Sequence, residues 1–296
     1  MQAPIITPHK FEQYEDLIEN KIKHICDFED ENSLLSKALE YHFKAGGSRT
    51  RSNFTYKFAK SFLVSETDAV ALACIPELLH NASLIHDDLQ DQDTDRRGHL
   101  SVWKKYGADI AICAGDFLIS AAYGATADLK CKNIPQIIQK IHSNIHEVVK
   151  GQIDDLSQDK NQSLNDISLY ERISIKKSGP LLALSLTLPL LYTERASFVS
   201  LAEQAFYNYA VAYQIYDDIH DIERDQLKVG SKSGLNIITI MQKNGALSPV
   251  KAASDLAIDN LAKASQIAMQ LPFPSNNLLE KEIAKMHKKI SFIGNQ

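Results

Sequence analysis

The chain has 296 residues, 44% of them apolar and 23% charged, with a net charge of −5. That length buries a substantial core without staples, and the composition is that of an ordered globular protein and not of a disordered one. The acidic balance excludes a general attraction to nucleic acid or to anionic membranes, so any basic chemistry is local. The four cysteines, Cys26, Cys74, Cys113 and Cys131, are widely spaced and form no Cys-x-x-Cys. This predicts reduced thiols, not a zinc site or a disulfide framework. The first twenty residues lack a basic segment followed by an apolar run, and no stretch approaches the ~18 uncharged apolar residues of a membrane span. A cytoplasmic protein without stable membrane insertion is the expectation.

Helical periodicity dominates in chain order. Leu72, Ile75, Leu78, Leu79, Ala82 and Ile85 recur at three- and four-residue steps, which is one helix face. Pro76 interrupts this pattern and predicts a kink, because it lacks an N–H and crowds the preceding turn. Similar spacing runs over Ile110–Ala122, Ile137–Val149, Leu181–Tyr192, Ala202–Ile219 and Leu261–Leu271. Gly46-Gly47, Gly179-Pro180 and Pro272–Pro274 read as the breaks between helices. No alternating strand run, internal repeat or low-complexity linker is visible. The expectation is a single all-α domain over residues 1–296, of roughly ten helices joined by short loops.

Two acidic clusters carry the chemistry. The first is His86-Asp87-Asp88-Leu89-Gln90-Asp91, followed by Asp93, Asp95, Arg96, Arg97 and Gly98. The second is Gln214-Ile215-Tyr216-Asp217-Asp218-Ile219-His220-Asp221. Asp87 and Asp91, like Asp217 and Asp221, lie four residues apart and share a helix face. A single cluster of this kind reads equally well as a solvated acidic helix end. Two of identical spacing, each following an apolar helix, favour a shared cavity in which cations relieve the mutual repulsion of the carboxylates. Hard oxygen ligands favour Mg²⁺, which completes its shell with water and substrate phosphates. A calcium loop is excluded, because neither cluster has the required glycine and distal glutamate.

With these motifs the sequence resembles the trans-isoprenyl diphosphate synthases (polyprenyl synthetases), from about Gly46 to the C-terminal helix. The resemblance implies an isoprenoid synthase-like fold of long helices around a central cavity, usually a homodimer. It implies head-to-tail condensation of an allylic diphosphate with isopentenyl diphosphate, assisted by three Mg²⁺. It assigns Asp87, Asp91, Asp217 and Asp221 to the metal, with Asp88 supporting, and Gln214 to the substrate. Arg96 would hold the allylic and Arg97 the isopentenyl diphosphate, and the guanidinium fork suits phosphate oxygens. Lys177-Ser178-Gly179 resembles the family's Lys-Thr-Gly, although in isolation it reads as a glycine-capped helix end. Gly151-Gln152-x-x-Asp155-Leu156 and Gly115-Asp116 resemble two further motifs, with Gln152 facing the cavity and the Gly-Asp pair structural. His80, seven residues before Asp87, stands where the family binds isopentenyl diphosphate; by itself it reads as a satisfied helical histidine.

Two segments depart from the family pattern. In Gly46-Gly47-Ser48-Arg49-Thr50-Arg51-Ser52, Ser48 replaces a lysine that contacts isopentenyl diphosphate and Ser52 replaces a proline, while Arg51 is retained. After Asp221 the usual pair of glycine-lysine steps is missing, and Lys228 and Lys232 are the candidates to substitute. The residues four and five before Asp87 are Ser83 and Ala82. Both are small where the family places the cavity floor, which implies geranylgeranyl diphosphate or a longer product. A class I terpene synthase that cyclises a prenyl diphosphate, and a non-catalytic partner subunit of a synthase, are the alternatives.

Overall fold

A long helix carries the first aspartate cluster out of a buried interior. The computed structural model describes residues 8–30, 32–157, 166–227 and 236–294, with side chains from Tyr14 onward except those of residues 221–227. The first helices are α1 (Pro8–Ile25), α2 (Leu34–Lys44), α3 (Thr50–Ser61) and α4 (Glu66–Gln90). Ser33 caps α2 and Ser65 caps α4, each hydroxyl accepting a backbone N–H three residues on. Beyond α4 a short antiparallel hairpin pairs β1 (Asp95–Arg96) with β2 (His99–Leu100). It is followed by α5 (Val102–Tyr106), α6 (Ala108–Gly124) and a 3₁₀ turn at Ala125–Asp128. The remaining helices are α7 (Ile134–Ser157), α8 (Ile167–Tyr192), α9 (Val199–Leu227), α10 (Ile237–Lys243), α11 (Pro249–Ala268) and α12 (Ser275–Gly294).

The all-α expectation holds, with twelve α-helices among the described residues against the roughly ten expected from element lengths. The additional ones include α5 and α10, of 5 and 7 residues, too short to show a period. Internal contacts divide the chain into two compact units, Met1–Ile141 with Leu188–Glu194, and His142–Thr187 with Arg195–Gln296.

In the first unit α4 is the core. Ala69, Leu72, Ala73, Cys74, Ile75, Leu78 and Ile85 are fully buried, and the helix runs unbroken through Pro76. By length and composition α4 and the stretch Ala108–Asp128 would both pass for membrane spans, which the sequence reading did not foresee. In α4, however, 78% of the apolar window is buried inside the protein, so its apolarity is that of a core helix. Charged side chains also sit inside this core, among them Glu77. Glu77, 2% exposed, accepts from the Asn81 amide at 3.2 Å, the Ser52 N–H at 3.4 Å and Arg49 Nη1 at 3.5 Å. It thereby ties α4 to the start of α3.

In the second unit α8 and α9 are the apolar helices. Ala183, Leu184 and Leu186 of α8 and Ala205, Phe206, Val211 and Ile215 of α9 are fully buried. The break expected at Gly179-Pro180 does not occur, because α8 continues through both residues. Packing overrides the local signal: the Tyr207 ring occupies the space that a Gly179 side chain would need, and Asn144 Nδ2 donates to the Pro180 carbonyl at 2.6 Å. The glycine-capped helix end considered for Lys177-Ser178-Gly179 is overturned with it.

Glu77→Ala should strip a buried partner from Arg49 and from the Ser52 N–H. A loss of about 3 kcal/mol in urea unfolding is expected, with Glu77→Gln retaining part of it.

Candidate active site

The first aspartate motif occupies the last turn of α4. Asp87 is partly exposed, Asp91 is the C-cap residue, and between them Asp88 is 1% exposed. Burial raises the Asp88 carboxyl above the ordinary range, and the Arg96 guanidinium opposes that rise. Arg96 Nε donates to the two Asp88 oxygens at 2.9 and 3.3 Å, and Nη2 donates to Oδ1 as well. This bidentate clamp satisfies a charge that would otherwise be costly to bury.

The clamp requires Arg96 to return towards the helix end it follows, and the hairpin makes the return. Arg97 and Gly98 are its two loop residues, at φ 57° and 80°. Positive φ at both positions is a type I′ turn, which explains the glycine after the arginine pair. Ser101 Oγ and Trp103 Nε1 both donate to the Asp93 carbonyl, at 2.7 and 2.8 Å, and Tyr41 OH donates to the Leu100 carbonyl at 2.9 Å. Arg97 donates to the Gly46 carbonyl and lies against Gly47, where a Cβ would overlap its guanidinium. The Gly-Gly loop and the Arg-Arg-Gly hairpin are therefore one structure.

In this segment the two candidates, Ser48 and Arg51, take different positions around Arg49. Ser48 is exposed, and its hydroxyl lies 2.8 Å from the Thr50 hydroxyl. Arg49 is engaged inward, at 2.5 Å from Glu19, while Arg51 is partly buried. His80 is half-buried; desolvation first, and then the charges of Arg51 and Arg97, hold its imidazole well below the ordinary range, in the neutral form. His42 Nε2 lies 3.0 Å from Asn81 Oδ1, and burial pushes its pKa down to about 3. The Gly115-Asp116 pair also has a mechanical reason. The His86 ring fills the space above Gly115 and lies 3.6 Å from Asp116 Oδ1, fixing the residue before Asp87.

The second unit assembles the other motifs. Gly151 of α7 leaves room for the Lys176 backbone of α8, and the neighbouring ion pairs follow from that approach: Lys176–Asp154 at 2.5 Å and Lys177–Asp155 at 2.8 Å. Gln152 is 8% exposed, and Ser178 is partly exposed beside Lys177. On α9 Asp217 is partly exposed and Asp218 is buried. The Asp218 carboxylate accepts from Tyr170 OH at 2.8 Å, Gln214 Nε2 at 2.9 Å and the Ile237 N–H at 3.0 Å. Gln214, assigned to the substrate by resemblance, thus spends an amide N–H on Asp218. The side chain of Asp221, together with Lys228 and Lys232, lies outside the described residues.

Among the described residues no cluster of three or more His, Cys, Asp or Glu side chains could by itself hold a metal. The donors present still fit a hard divalent cation. Magnesium is held through one or two carboxylates and keeps its remaining positions for water and substrate phosphates. Asp87 and Asp91 in one motif and Asp217 in the other are carboxylates of that chemistry, and Asp87 and Asp217 are partly exposed where Asp88 and Asp218 are buried.

The polyprenyl synthetase family profile matches residues 32–238. The chain belongs to the polyprenyl synthetase family. It is 31% identical over 228 residues to the geranylgeranyl pyrophosphate synthase of Geoglobus acetivorans, covering 75% of this chain and 70% of that one. It is 27% identical over 277 residues to the farnesyl diphosphate synthase of Buchnera aphidicola subsp. Acyrthosiphon pisum, covering 88% and 98%. The solved geranylgeranyl pyrophosphate synthetase from Geoglobus acetivorans superposes with a TM-score of 0.82 over 94% of this chain and 99% of that one, at 24% identity, and shows the same fold. Membership in the polyprenyl synthetases implies a divalent metal cofactor in general.

Sequence reasoning missed Tyr170 as a partner of the second motif. The available signal was its position seven residues before Lys177, two helical turns away on the same side of α8. It also missed the hairpin, since strands of two residues carry no alternation.

Acid should destabilise this polyprenyl synthetase through His42 and His80. Unfolded histidine protonates near pH 6.5, whereas both folded imidazoles stay neutral to much lower pH. Their contribution is complete above the unfolded value and is lost as pH falls below it, by about 1.4 kcal/mol per pH unit for each. Urea midpoints between pH 7.5 and 5 should show this fall, and His42→Asn should make it shallower by about one proton's worth.

Proposed function

We propose that the protein is a magnesium-dependent trans-prenyltransferase that joins an allylic diphosphate head to tail with isopentenyl diphosphate. The observation that carries this reading is the repeated build of the two aspartate motifs: in each, the second aspartate is buried and held by donors of the protein, and the first is partly exposed on the same apolar helix. Asp87 and Asp91, and Asp217 with Asp221, would hold the metal. When bound, three magnesium ions would neutralise the diphosphate that leaves with the electrons of the allylic C–O bond.

Side chains of the chain itself would do the rest. Arg96 and Lys177 would bind the allylic diphosphate, each by shifting part of its bonding from Asp88 or Asp155 to phosphate oxygens. Ser178 and Gln152 would contribute a hydroxyl and an amide near the same group. Arg51 and Arg97 would hold the isopentenyl diphosphate, with neutral His80 as a hydrogen-bonding partner that adds no charge. Lys228 and Lys232 would add cations over the diphosphates. The isopentenyl double bond attacks the allylic carbon, the new C–C bond leaves a tertiary cation, and loss of a proton restores the alkene.

The product is proposed to be geranylgeranyl diphosphate or longer. Ala82 is 1% exposed, and the Ser83 hydroxyl donates to its own helix at the His80 carbonyl, 2.8 Å away, so both present small surfaces with no outstanding donor. A homodimer fits the exposed apolar face of α7, where Val149, Ile153 and Leu156 are each at least 50% exposed. Cytoplasmic localisation completes the reading.

The test is incubation with Mg²⁺, isopentenyl diphosphate and dimethylallyl, geranyl or farnesyl diphosphate, with products read by mass. Asp87→Ala and Asp217→Ala should each lower kcat by about a hundred-fold or more, following the several kcal/mol that metal charge stabilisation supplies. Retained turnover in either variant, or a cyclic hydrocarbon as product, would sink the proposal. Ser48→Lys should lower the KM for isopentenyl diphosphate by about ten-fold, in line with one charge-assisted hydrogen bond, and leave the KM for the allylic substrate unchanged.

A further inference from the structure

We infer that Tyr170 and Asp218 form a positioning pair that sets the cation affinity of the second aspartate motif, with Asp218 acting as an anchor and not as a metal ligand. This rests on the reading of Asp217 as a metal-binding carboxylate.

Three observations carry it. The Asp218 carboxylate is bonded from three directions: by Tyr170 OH of α8 at 2.8 Å, by Gln214 Nε2 one turn earlier on α9 at 2.9 Å, and by the first N–H of α10, Ile237, at 3.0 Å. Both oxygens are occupied, one by Gln214 and the other by Tyr170 and Ile237, so little capacity is left for a cation. The backbone is held as well, since Asn236 Nδ2 lies 3.4 Å from the Asp218 carbonyl. Finally, Tyr170 is 2% exposed, and a phenol at such depth keeps its place only with a bonded hydroxyl.

The consequence follows from helix geometry. Successive residues on a helix point about 100° apart, so fixing the direction of Asp218 fixes the direction of Asp217. An anchored α9 presents the Asp217 carboxylate in one orientation and lowers the rearrangement needed to bind a cation. Groups that orient a metal-binding side chain typically alter affinity by about ten- to a hundred-fold when deleted.

The experiment uses Mn²⁺ as probe, with binding followed by electron paramagnetic resonance in the presence of inorganic pyrophosphate, on the full chain and on three variants. Tyr170→Phe removes one hydroxyl and keeps the ring. It should weaken Mn²⁺ binding by about ten-fold and raise the Mg²⁺ concentration for half-maximal turnover by a similar factor. The KM for isopentenyl diphosphate at saturating Mg²⁺ should stay unchanged. Tyr170→Leu should behave like Tyr170→Phe in cation affinity, because both lack the hydroxyl, whatever each does to thermal stability. Asp217→Ala should remove a set of Mn²⁺ sites altogether. If Asp217→Ala binds Mn²⁺ like the parent chain, the metal reading of the motif fails. If Asp217→Ala loses sites while Tyr170→Phe binds Mn²⁺ as tightly as the parent, the metal reading stands and the positioning pair is overturned.

Discussion

Carboxylates clustered on apolar, largely buried helices are the constraint around which both units of this chain are arranged. An apolar helix such as α4 gains stability by burial, but its last turn brings Asp87, Asp88 and Asp91 close together, where they repel one another. The structure relieves part of this by burying the second aspartate of each motif among donors of the protein. Asp88 takes the Arg96 guanidinium, and Asp218 takes a phenol, an amide and a backbone N–H. The two solutions differ chemically, since one uses a cation and the other only neutral donors. A carboxylate held by neutral donors keeps its negative charge in the local field, so the second motif remains the more electronegative at its anchor.

The cationic side is built with the same economy. Arg49 is directed inward to Glu19 and Glu77, while Arg97 is braced on the Gly46 carbonyl at the turn of the hairpin. This arrangement gives the two serine departures opposite standing. Ser52 donates its backbone N–H to Glu77 and its hydroxyl to the Arg49 carbonyl, and the first of these bonds is unavailable to proline. The replacement of proline is therefore explained by the buried Glu77. Ser48 is exposed and engaged only with Thr50 in the bonds seen here, so packing gives no reason for the loss of lysine.

What the sequence made legible was whatever depends on spacing along a helix. The repeated four-residue interval of the aspartates, the apolar runs before them and the order of the motifs all survive in α4 and α9. What was illegible depends on partners far away in the chain. Gly179-Pro180 reads locally as a break, yet contacts from Asn144 and Tyr207 carry α8 through it. The aspartates within each motif are indistinguishable in the sequence; burial beside Arg96 and Tyr170 separates the anchor from its partly exposed neighbour. The hairpin escaped for a different reason: its identity resides in two positive φ angles at Arg97 and Gly98, and no periodicity records a turn.

These distinctions locate the chain's divergence within its family. Two cations read as acting on the allylic diphosphate are braced by a bonded neighbour, Arg96 by Asp88 and Lys177 by Asp155, and Asp217 stands next to the anchored Asp218. Preorganised charges of this kind act most strongly where charge develops as a bond breaks. The groups read as acting on the second substrate are fewer, and one of them, His80, is neutral chiefly through desolvation, with the charges of Arg51 and Arg97 adding to it. A neutral imidazole donates a single hydrogen bond and adds no Coulomb attraction, so it does not make up for an ammonium absent at Ser48. The ionising half of the site is therefore the more rigidly specified, and the acceptor half is where this sequence has freedom to differ from its relatives.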